Sequence, residues 1–350
     1  MTNAFSPVTL GHLTLKNRLV RSATHEYFGE ADGSLGDRQF EIIEELARNE
    51  VGLIISAHAC VTKWGRSSPE QNRINEDRFV EGFARLAEIV HAHGGKFVPQ
   101  ISHAGGKAPS MANEGRIGRS PSGLPLKDGT RTSAFTLDEI NEVKEDFIRA
   151  ALRMKSAGVD GIQIHGAHGY MLSEFVNFVE NKRTDDYGGN AENRVRLIRE
   201  ILEGIKEACG KEFPVLLKIN SNTTEDNERY VEELIEMLRI LQDSGLDAVE
   251  LSGTGFSNLK DVPTPFFLEA ATKIRRSVDL PIILVGGTRR IEDVERALEA
   301  GIEAVSMSRP FISDPDLVAK FKRREAARCI HCNKCFILPK TTGKRCIFEK

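Results

Sequence analysis

A chain of 350 residues with a formal net charge of -3, 40% hydrophobic and 28% charged residues has enough apolar mass for one large α/β barrel or two domains. The near-neutral balance, with a pI near 6.3 and no long basic stripe, argues against nucleic acid as the main partner. The longest nearly apolar run, Val51 to Val61, is broken by His58 and too short to span a bilayer, and Met1 to Leu10 lacks the basic and apolar regions of a secretion signal, so a cytoplasmic location is expected.

In chain order, Val20 to Ser22 reads as a short first strand. A helical stretch from Asp37 to Asn49 leads to a second strand, Gly52 to Ser56, and a helix from Asp77 to His93 leads to a third, Lys96 to Ile101. Residues 103–135 then form a long insertion rich in Gly, Ser, Pro and basic residues, of the kind used as a lid, a β-hairpin cover or a disordered flap. The fourth strand is 161–165, the fifth Pro214 to Ile219, the sixth 248–252, the seventh Pro281 to Val285 and the eighth 304–308. Three of them follow one repeated unit: Ala157-Gly158-Val159-Asp160, Ser244-Gly245-Leu246-Asp247 and Ala300-Gly301-Ile302-Glu303. In each, the glycine is suited to the left-handed position that ends a helix, and an apolar run follows. Continuous apolar runs suit parallel strands buried on both faces. Eight strands alternating with helices, without a Gly-x-Gly-x-x-Gly turn after the first, favour a closed (β/α)8 TIM barrel over a doubly wound sheet.

The active site of such a barrel lies at the carboxyl ends of its strands. Those ends read Ser22, Ala57, Gln100, His165, Lys218, Ser252, Gly286 and Ser308, a set of small and hydrogen-bonding residues with one cation. Gly286-Gly287-Thr288 and Ser308-Arg309-Pro310 end the last two strands. Glycines admit backbone N–H groups to a phosphate, and Arg309 adds a fork of donors; the plain alternative is two turns and a surface arginine. His165 and His168 are read as metal ligands, as donors to a developing oxyanion, or as structural residues of a turn. Tyr170, a phenol of high pKa, suits proton delivery. Lys218, if it points inward, needs an anionic partner; it can form a Schiff base or balance a charged flavin ring. Gln100 offers both donor and acceptor to a pyrimidine-like edge.

From Phe5 to about Leu317 the chain resembles the old yellow enzyme family, in its bacterial NADH:flavin oxidoreductase branch. The resemblance is carried by Asn17 to Thr24, Gln100 to Lys107, His165 to Tyr170, Arg183 to Gly189 and Glu192-Asn193-Arg194, in the family's order. It implies FMN as cofactor and NAD(P)H as hydride donor. Ser22, Ala23, Thr24, Ala57, Gln100 and Lys218 would line the flavin ring, with Gly286, Gly287, Ser308 and Arg309 holding the phosphate. His165 and His168 would grip a substrate oxygen, Tyr170 would protonate, and His25 and Tyr27 would border the substrate. Two departures stand out: His25 occupies the place of a redox-tuning cysteine in some relatives, and Ala23 replaces a common proline.

Six cysteines are present, and four cluster near the C-terminus: Cys329, Cys332, Cys335 and Cys346. That distribution is metal-like rather than a disulfide framework. The expected division is a barrel over 1–325 and a Cys-rich segment over 326–350. Four thiolates, with His331 as a substitute, suit a [4Fe-4S] cluster or zinc, or are a metal-free remnant. Larger members of the family carry such a cluster at this point, with a middle spacing one residue longer than here. The expected activity is ene-reductase type hydride transfer from NAD(P)H through FMN to an activated C=C bond. A Schiff-base lyase using Lys218 and an electron-transfer module with an external protein partner are the alternatives. A homo-oligomer is compatible with the sequence.

Overall fold

A computed structural model of the chain describes residues 3–255, 259, 264–337 and 343–348. Two short strands, β1 (Val8–Leu10) and β2 (Leu13–Leu15), pair antiparallel. Each alternates buried, exposed, buried, so one face of the hairpin is apolar, and Gly11 makes the turn at φ 59°. That face packs on Val20, Leu53, Leu216, Ala248 and Ala304 and plugs the amino end of a barrel. His12 fastens the plug: its Nδ1 lies 2.6 Å from Asp247, just before a barrel strand.

The barrel strands are β3 (Leu19–Arg21), β4 (Leu53–Ile55), β5 (Ala59–Cys60), β6 (Lys96–Val98) and β7 (Gln100–Ser102). After a small outer pair, β8 (Arg119–Ser120) and β9 (Ser133–Ala134), they continue as β10 (Ile162–Gly166), β11 (Val215–Asn220), β12 (Ala248–Ser252), β13 (Ile282–Val285) and β14 (Ala304–Met307). The hydrogen-bonded order is β5-β7-β10-β11-β12-β13-β14-β3-β4-β6. β6 and β7 are halves of one strand, interrupted at Pro99, which has no N–H to donate. The Pro99 carbonyl still accepts from Gln163 N at 2.9 Å. Joined through Pro99, the order closes into a ring of eight parallel strands, as the sequence implies, and each strand lies within a residue or two of its expected span.

Helices α1 (Asp37–Arg48), α2 (Val80–Ala92), α3 (Leu137–Ser156), α4 (Met171–Val176), α5 (Ala191–Cys209), α6 (Asn227–Asp243), α7 (Leu268–Arg275), α8 (Ile291–Glu299), α9 (Arg309–Ser313) and α10 (Leu317–Lys322) surround it. α3 starts on a capping box: Thr136 Oγ1 accepts from Glu139 N at 3.2 Å and Glu139 Oε2 from Thr136 N at 2.9 Å, worth about 1 kcal/mol. Among the described residues no helix is long and apolar enough to cross a membrane.

Residues 103–135 are ordered into single 3-10 turns and the β8–β9 pair. That pair runs parallel, with Arg119 opposite Ser133 and Ser120 opposite Ala134, so it is not a hairpin; the connection between the two strands contains a tight turn from Leu126 to Thr130. The lumen is layered. Its lower half is the apolar layer against the hairpin, and its upper half is polar, with Ser22, Gln100, Gln163, Lys218, Glu250 and Ser306 all buried. The change of polarity marks the end of the barrel where chemistry is placed.

Candidate active site

The floor of the mouth is an ion pair. His165, Lys218 and Glu250 stand level on neighbouring strands, in register His165↔Lys218 and Lys218↔Glu250. Side chains level in a parallel sheet share a face. Lys218 Nζ lies 2.7 Å from Ser22 Oγ and 3.3 Å from Glu250 Oε1. The anionic partner that a buried lysine requires is therefore Glu250, which reasoning from strand ends missed because it lies two residues below the end of β12. An acidic residue inside an apolar strand, at Lys218's register, was the available signal. Gln100 Nε2 donates to Gln163 Oε1 at 2.6 Å, so Gln100 belongs to the same floor.

Above the floor stands a wall of imidazole and phenol rings. Ring centroids lie 4.0 Å apart for His25–Tyr27, 4.9 Å for His25–His58, 5.4 Å for His58–Tyr170, 4.9 Å for His165–Tyr170 and 5.4 Å for His165–His168. Burial is the main cause that lowers His58 and His168 to about 3, with nearby lysines adding to it, and that holds His165 well below its ordinary value, with His168 and His58 next in weight. All three are thus neutral at pH 7, able to donate one N–H each without carrying charge. His168 Nε2 lies 2.8 Å from Ser252 Oγ, and its backbone is left-handed at φ 61°. His165 Nδ1 is buried with no hydrogen-bond partner among the described residues, which marks a place for a polar group of a ligand.

Burial pushes the Tyr170 hydroxyl up to about 12, against a hydrogen bond from Ser67, so it remains a proton donor at neutral pH. Ser67 is itself held by Gln71, whose Oε1 accepts from Ser67 N at 2.6 Å and whose Nε2 lies 2.7 Å from His58 Nδ1. Ser68 Oγ lies 2.9 Å from His25 Nε2. His58, Ser67, Ser68 and Gln71 are members of the wall that sequence reasoning did not single out. They arrive from the loop after β4 and β5, where no strand-end rule points.

At the opposite rim, β13 and β14 end side by side. Gly286 has φ 128° and Gly287 φ 82°; a Cβ on Gly287 would meet the Phe266 ring at 2.7 Å. Thr24 Oγ1 and Ser308 Oγ are 2.7 Å apart, and Arg21 Nη1 donates to the Ser308 carbonyl at 2.8 Å. Thr288 Oγ1 and Arg289 Nε are buried without partners among the described residues. Orphaned donors beside two left-handed glycines fit an anionic group such as the FMN phosphate. Arg309 is placed differently from the other three expected phosphate residues: its guanidinium hydrogen-bonds Asn333 Oδ1 and faces the cysteine segment.

A cavity of about 780 Å³ opens beside His168, between residues 106–130 and the loops after β10, β11 and β12. Lys107 and Glu174 line it, and Lys107 Nζ donates to the His168 carbonyl at 2.6 Å. Lys127 Nζ, donating to Thr224 Oγ1 at 2.9 Å, ties the insertion across to the loop after β11.

Cys329, Cys332, Cys335 and Cys346 are unbridged and line one small cavity with Arg309 and Asn333. Among the described residues no three His, Cys, Asp or Glu side chains stand close enough to hold a metal ion. The thiols therefore converge without forming a ligand set. Residues 338–342 and 349–350 of this segment lie outside the described residues. The segment lies against the barrel mouth: Lys344 N donates to the Glu26 carbonyl at 2.8 Å.

Fold and site together define a (β/α)8 barrel with the features of a flavin-dependent oxidoreductase: a polar floor, neutral donors above it and an anion-accepting rim. The chain belongs to the NADH:flavin oxidoreductase / NADH oxidase family, the old yellow enzymes, matching it over residues 3–327. It is 33% identical to an NADH oxidase of Thermoanaerobacter brockii over 95% of this chain and 53% of that one. The structure resembles 2-naphthoyl-CoA reductase in complex with 2-naphthoyl-CoA at a TM-score of 0.90 and 25% identity, over 99% of this chain and 57% of that one. It also resembles an old yellow enzyme homologue from Zymomonas mobilis at a TM-score of 0.80 and 27% identity, over 92% of both chains. The chain thus spans about half the length of the first two. FMN and NAD(P)H are the cofactors that membership assigns.

Proposed function

We propose that this protein is an FMN-dependent oxidoreductase of the ene-reductase type, which passes hydride from NAD(P)H to an activated C=C bond or a related electron-poor group. The observation that carries the reading is the buried, unpartnered Nδ1 of neutral His165, with the Tyr170 ring at 4.9 Å, above the Lys218–Glu250 floor. Bound FMN supplies hydride chemistry, and the protein supplies binding, orientation and electrostatics. In this reading Ser22, Ala23, Thr24, Ala57, Gln100 and Lys218 hold the flavin ring, and Gly286, Gly287 and Ser308 hold its phosphate; Arg309, which the sequence offered as a fourth phosphate residue, would have to leave Asn333 to join them. His165 and His168 donate to the substrate oxygen on which charge develops. Tyr170 delivers the proton, kept neutral by burial and aimed by Ser67. His25 and Tyr27 border the substrate.

The barrel is assigned to residues 1–325 and a Cys-rich segment to 326–350; its four thiols would have to close up from their present positions to take a [4Fe-4S] cluster or zinc, and are otherwise a metal-free remnant. Two features disfavour the Schiff-base lyase. Lys218 Nζ is engaged by both Ser22 and Glu250, and the matched relatives are oxidoreductases. The absorption spectrum of purified protein, before and after acid release, tests the reading. Flavin bands that leave with the acid supernatant are expected. A colourless protein that takes up no added FMN refutes the reading, whereas a broad brown shoulder reports the cluster.

A further inference from the structure

The floor holds a carboxylate to which the proposed reaction gives no task. Glu250 is 0% exposed, and its Oε1 accepts from Ser22 Oγ at 2.7 Å and Ser306 Oγ at 2.6 Å, with Lys218 Nζ at 3.3 Å. Its Oε2 accepts from Gln163 Nε2 at 2.8 Å, and Gln163 is fixed in turn by Gln100. Donors from four strands thus converge on one carboxylate in the barrel lumen. Burial pushes the Glu250 carboxyl up, but Lys218 and the three neutral donors together hold it below its ordinary value. Such a group is a fixed negative charge, and with Lys218 it makes the floor electrically neutral. Ser22, which donates to Glu250 and accepts from Lys218 at 2.7 Å each, locks the two charges together.

We propose that Glu250 is a positioning residue that sets the reduction potential of the bound flavin by pairing with Lys218. The inference rests on the FMN reading above. A hydride from the nicotinamide brings two electrons and one proton, and so adds one negative charge to the flavin. An unpaired ammonium close to the bound flavin would attract that charge strongly; one neutralised by a carboxylate at 3.3 Å would attract it much less. Glu250 therefore restrains reduction of the flavin and keeps the reduced form a ready hydride donor. A carboxylate that merely filled the lumen would affect folding and leave the potential where it is.

The test is the midpoint potential of FMN-loaded wild type, Glu250→Gln and Glu250→Asp, equilibrated with a reference dye at one pH. Glu250→Gln is expected to raise the two-electron reduction constant at least tenfold, about 30 mV. Glu250→Asp, which keeps the charge, is expected to stay near wild type. An unchanged midpoint in yellow Glu250→Gln protein overturns the inference, as does an equal rise in both variants. Where Glu250→Gln does not fold, Lys218→Gln is compared with the doubly substituted Lys218→Gln, Glu250→Gln protein, which leaves no buried charge unpaired. The double variant is expected to have the higher potential, again by at least tenfold in the constant, and equal potentials overturn the pairing. Wild type that binds no FMN refutes the functional reading instead, a result distinct from any of these.

Discussion

Glu174 offers a direct test of how the cavity is built. It lies on α4, 2% exposed, with Oε2 accepting from Gly106 N at 3.1 Å. Burial is the main cause that pushes its carboxyl up from 4.5 to about 8, with the Gly106 N–H opposing. The unfolded chain releases this proton near 4.5 and the folded one near about 8, so between those values the native state binds the extra proton and stability falls as pH rises. The stabilisation is fully present below 4.5 and is gone once the pH has passed through about 8. At about 1.4 kcal/mol for each tenfold change in proton activity, roughly 3 kcal/mol is lost between about pH 5.5 and 9. Glu174→Gln keeps the acceptor for Gly106 and has no proton to release. Urea unfolding of both proteins, followed by circular dichroism at the two pH values, should show the variant gaining about 3 kcal/mol on wild type from the lower to the higher. Parallel stability profiles would mean that Glu174 ionises in the fold as it does in water, and the account of a dry carboxyl in the cavity wall would be wrong.

Two further expectations concern the wall of rings. Tyr170→Phe should slow substrate reduction by about 10²- to 10⁴-fold while leaving flavin reduction by NAD(P)H nearly normal, which stopped-flow measurement of the two half-reactions separates; equal losses in both would make Tyr170 structural. His168→Ala should weaken the binding of a phenol and its long-wavelength absorption band, and an unchanged band would remove His168 from the substrate-oxygen role.

Much of the barrel is legible because its signals are local. A glycine in the left-handed C′ position, an acidic residue and an apolar run recur before β10, β12 and β14, and each piece reports its own conformation without reference to the rest of the chain. The carboxyl ends of the barrel strands then point to Ser22, Gln100, His165 and Lys218, all of which the structure buries at one end of the lumen. The N-terminal hairpin was not legible, since two three-residue strands are too short to show a period. The break at Pro99 was hidden inside what reads as one strand, and the β8–β9 pair depends on how a long connection folds back.

The sequence by itself determined the family, the closed ring of parallel strands and the end of the barrel that carries chemistry, because motif order and strand periodicity are properties of neighbouring residues. Tertiary structure alone decided which charges meet. Lys218 and Glu250 lie 32 residues apart and touch because adjacent parallel strands put them level in one lumen. His58 joins His165 and Tyr170 because loops from distant strands close over the same mouth. Arg309 turns to Asn333 because the cysteine segment packs back on the barrel. Such contacts arise from chain closure in three dimensions, and no window along the sequence contains both partners.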